Sequence, residues 1–127
     1  MHPNERLLRD ADDAQLRGDV DAFVGSYTDD VIVHIPGKSS FAGVYKGKDQ
    51  FLELFERFME RTPEYTFEPH AYLADDEHGV ILQRSHYKRG DETLDSSDTF
   101  VCHFRDGKIS EFWLSSEDEA AVDAFLG

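Results

Sequence analysis

Apolar residues change their spacing twice in the first half of this chain, and each change predicts an element boundary. Leu7, Leu8, Ala11 and Leu16 recur at helical intervals over residues 4–17, and Gly18 stops the run. Asp19 is placed to cap a second helix that reaches about Thr28, with Val20, Phe23, Val24 and Tyr27 on one stripe. After Asp30 the period shortens to two: Val31, Val33 and Ile35 share one face of a strand over 31–35, which Pro36-Gly37 ends. Residues 38–46 read as a loop with a short hairpin arm. Helical spacing then returns over 48–61, where Phe51, Leu54, Phe55, Phe58 and Met59 form a third helix before Pro63.

The rest of the pattern is a β-meander, with strands near 65–74, 79–89, 93–105 and 108–115. The turn signals between them are Asp75-Asp76-Glu77-His78-Gly79, Gly90-Asp91 and Asp106-Gly107. Pro69 cannot donate to a sheet ladder, so its strand is expected at an edge or with a bulge. Ser116 and Glu119 have capping-box spacing, which predicts a short final helix packed through Val122, Phe125 and Leu126. No linker, repeat or low-complexity tract interrupts residues 1–127, so the expectation is a single α+β domain.

Composition narrows the partners. The formal charge is −14 with only 13 Lys+Arg, which repels phosphate backbones and argues against nucleic acid. The acidic residues are spread along the chain in small clusters such as Asp10–Asp13, which read as solvated surface. No run of 18 apolar residues is present, so no membrane span is expected. The start, Met1-His-Pro-Asn-Glu-Arg, lacks the apolar core of a secretory signal, and the single Cys102 cannot form an internal disulfide; the expected compartment is the cytoplasm. No His-x-x-x-His, His-x-His or Cys pair offers a metal site, and no Gly-rich phosphate loop implies a nucleotide, so no metal and no cofactor are expected. Ten Phe suggest that rings line the core or a cavity.

Several junctions carry a resemblance. Gly18-Asp19-Val-Asp-Ala-Phe, Tyr27-x-Asp-Asp-Val, His34-x-Pro-Gly, Phe41-x-Gly-x-Tyr-x-Gly-Lys-Asp and Asp106-Gly-Lys-Ile-x-Glu-Phe-Trp together resemble the NTF2-like superfamily, and within it the SnoaL-like branch related to ketosteroid isomerase. The resemblance implies an NTF2-like cone, in which three N-terminal helices pack on a curved antiparallel sheet and a short C-terminal helix follows. It also implies a small-molecule ligand in a hydrophobic pocket, and a homodimer through the convex face of the sheet. Matched position by position, the isomerase's general base falls on Ile35 and its oxyanion tyrosine on Ala11, so steroid isomerisation is not expected. Two supporting tyrosines fall on Phe55 and Tyr27, a pocket methionine on Phe112 and a pocket aspartate on Ser97.

Hairpin registers predict which side chains share a face. A two-residue turn at Gly90-Asp91 puts His86 opposite Asp95, Arg84 opposite Ser97 and Leu82 opposite Thr99. A two-residue turn at Asp106-Gly107 puts Phe112 opposite Val101 and Leu114 opposite Thr99. One face therefore gathers Arg84, His86, Asp95, Ser97, Thr99, Phe112 and Leu114. Because the resemblance sends Phe112 and Ser97 to the pocket, that face is expected to be concave. The opposite set, with Asp98, Phe100, Phe104, Ile109 and Trp113, is then expected to be convex and to make the dimer.

On this expectation His86 and Asp95 are the candidate catalytic pair, a carboxylate raising the basicity of an imidazole. Tyr27, Ile35, Phe55, Arg84, Ser97, Thr99, Phe112 and Leu114 are the candidate ligand-binding residues. His34 is expected to make a structural hydrogen bond at its strand end. The first functional reading is a SnoaL-like protein that binds a small, largely apolar organic ligand, with cofactor-independent isomerase, dehydratase or cyclase chemistry. The second is a non-catalytic binding or dimerisation domain whose cavity is filled by its own side chains.

Overall fold

Pro3 at the first turn and the His2 ring, whose Nδ1 accepts the Asn4 N–H at 3.0 Å, start helix α1 (Pro3–Leu16). Asp19 caps α2 (Val20–Gly25) as the sequence predicts, its carboxylate accepting the Ala22 N–H at 3.1 Å. That helix ends short of Thr28, because the backbone beyond it is already in the sheet. The Ser26 carbonyl accepts the Ile109 N–H at 2.9 Å, and Tyr27 opens strand β1 (Tyr27–Ile35). The computed structural model describes residues 1–127. The remaining elements are β2 (Gly43–Lys46), α3 (Lys48–Arg61), β3 (Thr66–Ala74), β4 (His78–Arg89), β5 (Glu92–Arg105), β6 (Lys108–Ser116) and α4 (Glu119–Leu126). At α4 the Glu119 carboxylate accepts the Ser116 N–H at 2.8 Å, but the N-cap is Asp118, which accepts the Ala121 N–H at 3.1 Å.

The six strands form one curved sheet in the order β2-β1-β6-β5-β4-β3, antiparallel except where β1 runs parallel to β6. Pro69 sits on edge strand β3, at a register shift between Pro69 and Ala71, where its missing N–H breaks no continuous ladder. The β4–β5 hairpin keeps the predicted register from Arg89↔Glu92 through His86↔Asp95 to Leu82↔Thr99.

The β5–β6 hairpin begins as predicted, with Arg105↔Lys108 and Phe104↔Ile109, and then departs. Ser110 is bulged out, its hydroxyl donating to the His103 carbonyl at 3.3 Å, and pairing resumes as His103↔Glu111, Cys102↔Phe112 and Phe100↔Leu114. One extra residue exchanges the two faces of everything beyond it. Phe112 and Leu114 therefore share a face with Phe100 and Cys102, not with Val101 and Thr99. That shared face is the concave one.

The core lies between this face and the helices. Leu8, Val31, Val33, Cys102 and Ile109 are fully occluded. Gly79 makes the closest approach in this layer: a Cβ there would stand 2.6 Å from Phe104 Cζ and 2.9 Å from Cys102 Sγ. Burial pushes the Cys102 thiol up to about 12.

Candidate functional site

The helices do not fill the cone. A cavity of about 170 Å³ remains between them and the concave face. Helix α1 offers it Leu8, Ala11, Asp12 and Gln15, at the i, i+3, i+4, i+7 spacing of one helical stripe. Phe23 enters from α2, and Phe51, Leu54, Phe55 and Phe58 from α3. The sheet supplies Tyr27 and Ile35 from β1, Ile81, Gln83 and Tyr87 from β4, Asp98 and Phe100 from β5, and Ile109, Phe112 and Leu114 from β6. Helix α4 closes one end with Val122 and Leu126, beside Glu119 and Asp123. The rings make a continuous wall: Tyr27 lies 4.6 Å from Phe51 and 5.7 Å from Phe112, and Phe112 stacks on Phe100 at 4.8 Å. A second recess of about 330 Å³ lies alongside and shares Gln15, Phe23, Phe55 and Tyr65 with the cone.

Of the four carboxyl groups on this wall, Asp12 and Asp98 are the buried ones. Asp12, 8% exposed, accepts a hydrogen bond from the Tyr72 hydroxyl at 2.7 Å, and Arg9 stacks 4.4 Å above the Tyr72 ring. Burial raises the Asp12 pKa from 3.8 to about 6; the Tyr72 bond opposes the rise and the neighbouring Asp13 adds to it. Asp98, 7% exposed, accepts from Tyr87 at 2.6 Å and from Ser96 at 2.7 Å. Beside it, the Tyr65 hydroxyl meets Ser85 at 3.2 Å and accepts from Gln83 at 3.3 Å. Burial raises the Tyr27, Tyr65 and Tyr87 pKa values, keeping all three as neutral phenols. The Tyr27 hydroxyl differs from the other two in having no protein hydrogen-bond partner, although the residue is only 4% exposed.

Comparison with known proteins places this architecture. The SnoaL-like domain matches residues 8–112. The chain belongs to that family. Among solved structures, Bal32a from a soil-derived mobile gene cassette is 24% identical, with 98% of this chain and 97% of that chain covered and a TM-score of 0.92. A protein of unknown function with a cystatin-like fold from Xanthomonas campestris is 26% identical, with 98% of each chain covered and a TM-score of 0.90. TerC, co-crystallized with polyporic acid, is 15% identical, with 98% of each chain covered and a TM-score of 0.88. No curated protein matches the sequence.

In this SnoaL-like chain the residues expected in the pocket divide between the two faces of the sheet. Tyr27, Ile35, Phe55, Phe112 and Leu114 line the cavity. Arg84, His86, Asp95, Ser97 and Thr99 do not; the Ser110 bulge puts Phe112 and Leu114 on the opposite face from them, and theirs is the outer one. There Arg84 donates to Ser97 at 3.0 Å and stands 3.8 Å from Glu117. His86 and Asp95 are bonded as the register predicts, Nδ1 to Oδ1 at 2.8 Å, with Glu68 3.7 Å from Nε2. The Asp95 bond raises the His86 pKa above its ordinary value. The contact forms, and it lies outside the cavity. The expected convex patch is corrected in the same way: Phe100 and Ile109 face the cone, and only Trp113 of that set, with Glu111, faces out. His34 stacks on Trp113 at 4.7 Å and bonds Glu111 at 2.7 Å, a structural role at the strand end.

Asp12 and Asp98 are the cavity's acidic groups that sequence reasoning missed. Strict alternation puts Asp98 on the outer face. Asp12 is masked by the Asp10–Asp13 acidic run, although its spacing of four from Leu8 and three from Gln15 places it on the buried stripe of α1. No group of three or more His, Cys, Asp or Glu is arranged to hold a metal ion.

Proposed function

We propose that the cone binds a small, largely apolar organic molecule of about one ring, and that Asp12 carries the proton in cofactor-independent acid–base chemistry on it. The observation that carries this reading is a buried carboxyl on the cavity wall, fixed by the Tyr72 hydroxyl at 2.7 Å; burial pushes its pKa up to about 6, near enough to neutrality to take up and return a proton. Tyr72 holds that carboxyl in place from outside the cavity, and the unpartnered Tyr27 hydroxyl supplies a donor for a ligand oxygen. Isomerisation, dehydration and cyclisation each need no more than such a pair. TerC, of the same fold, was co-crystallized with polyporic acid, which supports an organic occupant.

The size follows from the space. The cavity's 170 Å³ is below the roughly 300 Å³ of drug-sized sites but comparable with the roughly 150 Å³ apolar cavities that take benzene. Titrating the protein with 2-phenylethanol should give saturable amide NMR shifts confined to cavity residues such as Tyr27, Phe55 and Phe112. Leu114→Trp, which fills the space, should abolish them. The absence of any shift at millimolar concentration would favour the self-filled, non-catalytic domain instead.

The outer face of the sheet pairs with a second copy of the chain. All four helices contribute to the cone, which leaves Val80, Leu82, Val101 and Trp113 on a face that no helix covers. No helix is long and apolar enough to cross a membrane. Sedimentation should give twice the monomer mass at micromolar concentration. Val101→Glu, at a position 36% exposed in the monomer, should return it to one. A wild-type monomer under those conditions would exclude the dimer.

A further inference from the structure

The charge of the cavity wall is one-sided. Among its lining residues are four carboxyl side chains, Asp12, Asp98, Glu119 and Asp123, and no Lys, Arg or His. The hydrogen bonds that hold these carboxyls come from neutral donors. Asp12 is held by the Tyr72 hydroxyl and Asp98 by Tyr87 and Ser96; Glu119 takes the Ser116 amide and Asp123 the Lys38 amide, the last at 2.8 Å. Neutral donors orient a carboxylate without cancelling its charge. The cations around the cone are engaged outside it: Arg61 bonds the Leu126 and Phe125 carbonyls, Arg57 lies over the Phe41 ring while bonding the Ser40 carbonyl, Arg89 lies over the Phe125 ring while bonding Glu92, and Arg9 lies over the Tyr72 ring while bonding Glu5.

Resting on the reading that the cone holds a ligand, we infer that this ligand is an organic cation, a protonated amine on an apolar skeleton of about one ring. Three independent features of the wall favour it. The carboxyls supply counter-charge from both α1 and β5, where desolvation makes each interaction stronger than in water. The faces of Phe23, Tyr27, Phe51, Phe55 and Phe112 attract an ammonium through their quadrupoles. The hydroxyl of Tyr27, a lining residue only 4% exposed, has no protein partner and can accept the ammonium N–H through its oxygen. A carboxylate ligand meets the reverse of each: like charge, repelling ring faces and no cation to bond. The net charge of −14 extends the same preference outward, drawing cations towards the protein before they reach the cone.

Three probes of one skeleton test the charge preference separately from cavity binding. The full chain is titrated at pH 8 with 2-phenylethylamine, 2-phenylethanol and phenylacetate, and each Kd is read from cavity amide shifts. The amine should bind at least tenfold tighter than the alcohol, and the acid at least tenfold weaker than the alcohol. Asp98→Asn, which keeps the shape of the side chain, should bring the Kd of the amine towards that of the alcohol, and Asp12→Asn should act in the same direction. Equal affinity for amine and alcohol, or tighter binding of the acid, overturns the cation and leaves the ligand-binding cone standing. Saturable binding of none of the three overturns both. The wild-type comparison decides the matter even if either variant folds poorly.

Discussion

Phe112→Glu is expected to leave the protein without a cooperative thermal transition, whereas deleting Ser110 should leave one. The bulge at Ser110 is what aims Phe112 and Leu114 into the cone while the hairpin turn stays at Asp106-Gly107, and Phe112 is 4% exposed there. Losing a buried phenylalanine alone costs about 3–5 kcal/mol. A carboxylate placed in the apolar wall without a partner adds several more. Together these match the roughly 5–15 kcal/mol that holds a domain of ordinary stability. Deleting Ser110 removes only the unpaired residue: Glu111 then follows Ile109 and still lies opposite His103, and Phe112 still lies opposite Cys102. Circular-dichroism melts of both variants decide it. A single transition for Phe112→Glu within about 5 °C of wild type would mean that Phe112 does not face the cone.

Asp12→Asn should act in the opposite direction, stabilising the fold at alkaline pH. The Asp12 pKa is raised on folding, from 3.8 to about 6, so the folded state disfavours the charged carboxyl. The stability associated with this group is fully present below about pH 3.8 and is lost as pH rises through 6, reaching its full deficit above that. At about 1.4 kcal/mol per pH unit the gap amounts to about 3 kcal/mol. Asparagine carries no charge and keeps an oxygen for the Tyr72 hydroxyl, so the variant escapes that deficit. Urea unfolding should show Asp12→Asn more stable than wild type by about 2–3 kcal/mol at pH 8 and nearly equal at pH 4. A difference independent of pH would mean that Asp12 titrates normally and has no special claim as the proton carrier. A residue that lowers stability at working pH is what a stability–function trade-off predicts of an active carboxyl.

The division between what could be read from the sequence and what could not follows the range of the signals. Helix α3 is visible over 48–61 because Phe51, Leu54, Phe55 and Phe58 report a local period. The β4–β5 register is visible because Gly90-Asp91 fixes a two-residue turn and nothing downstream disturbs it. The end of α2 is not legible, because the bond that takes the chain into β1 comes from Ile109, more than eighty residues away, and no local spacing records it. The face of the sheet is hidden for a subtler reason. Resemblance sends Phe112 to the pocket, and strict alternation carries His86, Asp95 and Ser97 in with it, although they face outward. Parity along a hairpin holds only between bulges, and Ser110, which is neither Gly nor Pro, gives no compositional mark of one.

Cys102 has a use that none of these arguments required of it. It is the only thiol in the chain, wholly occluded beneath Gly79 and next to Phe104, and held protonated by its surroundings. A thiol reagent in solution can therefore reach it only in molecules that have momentarily opened between β4 and the first helix. The rate of labelling under native conditions becomes a count of those openings. The chain thus carries its own clock for the motion that would admit a ligand or precede unfolding, readable with no engineered probe.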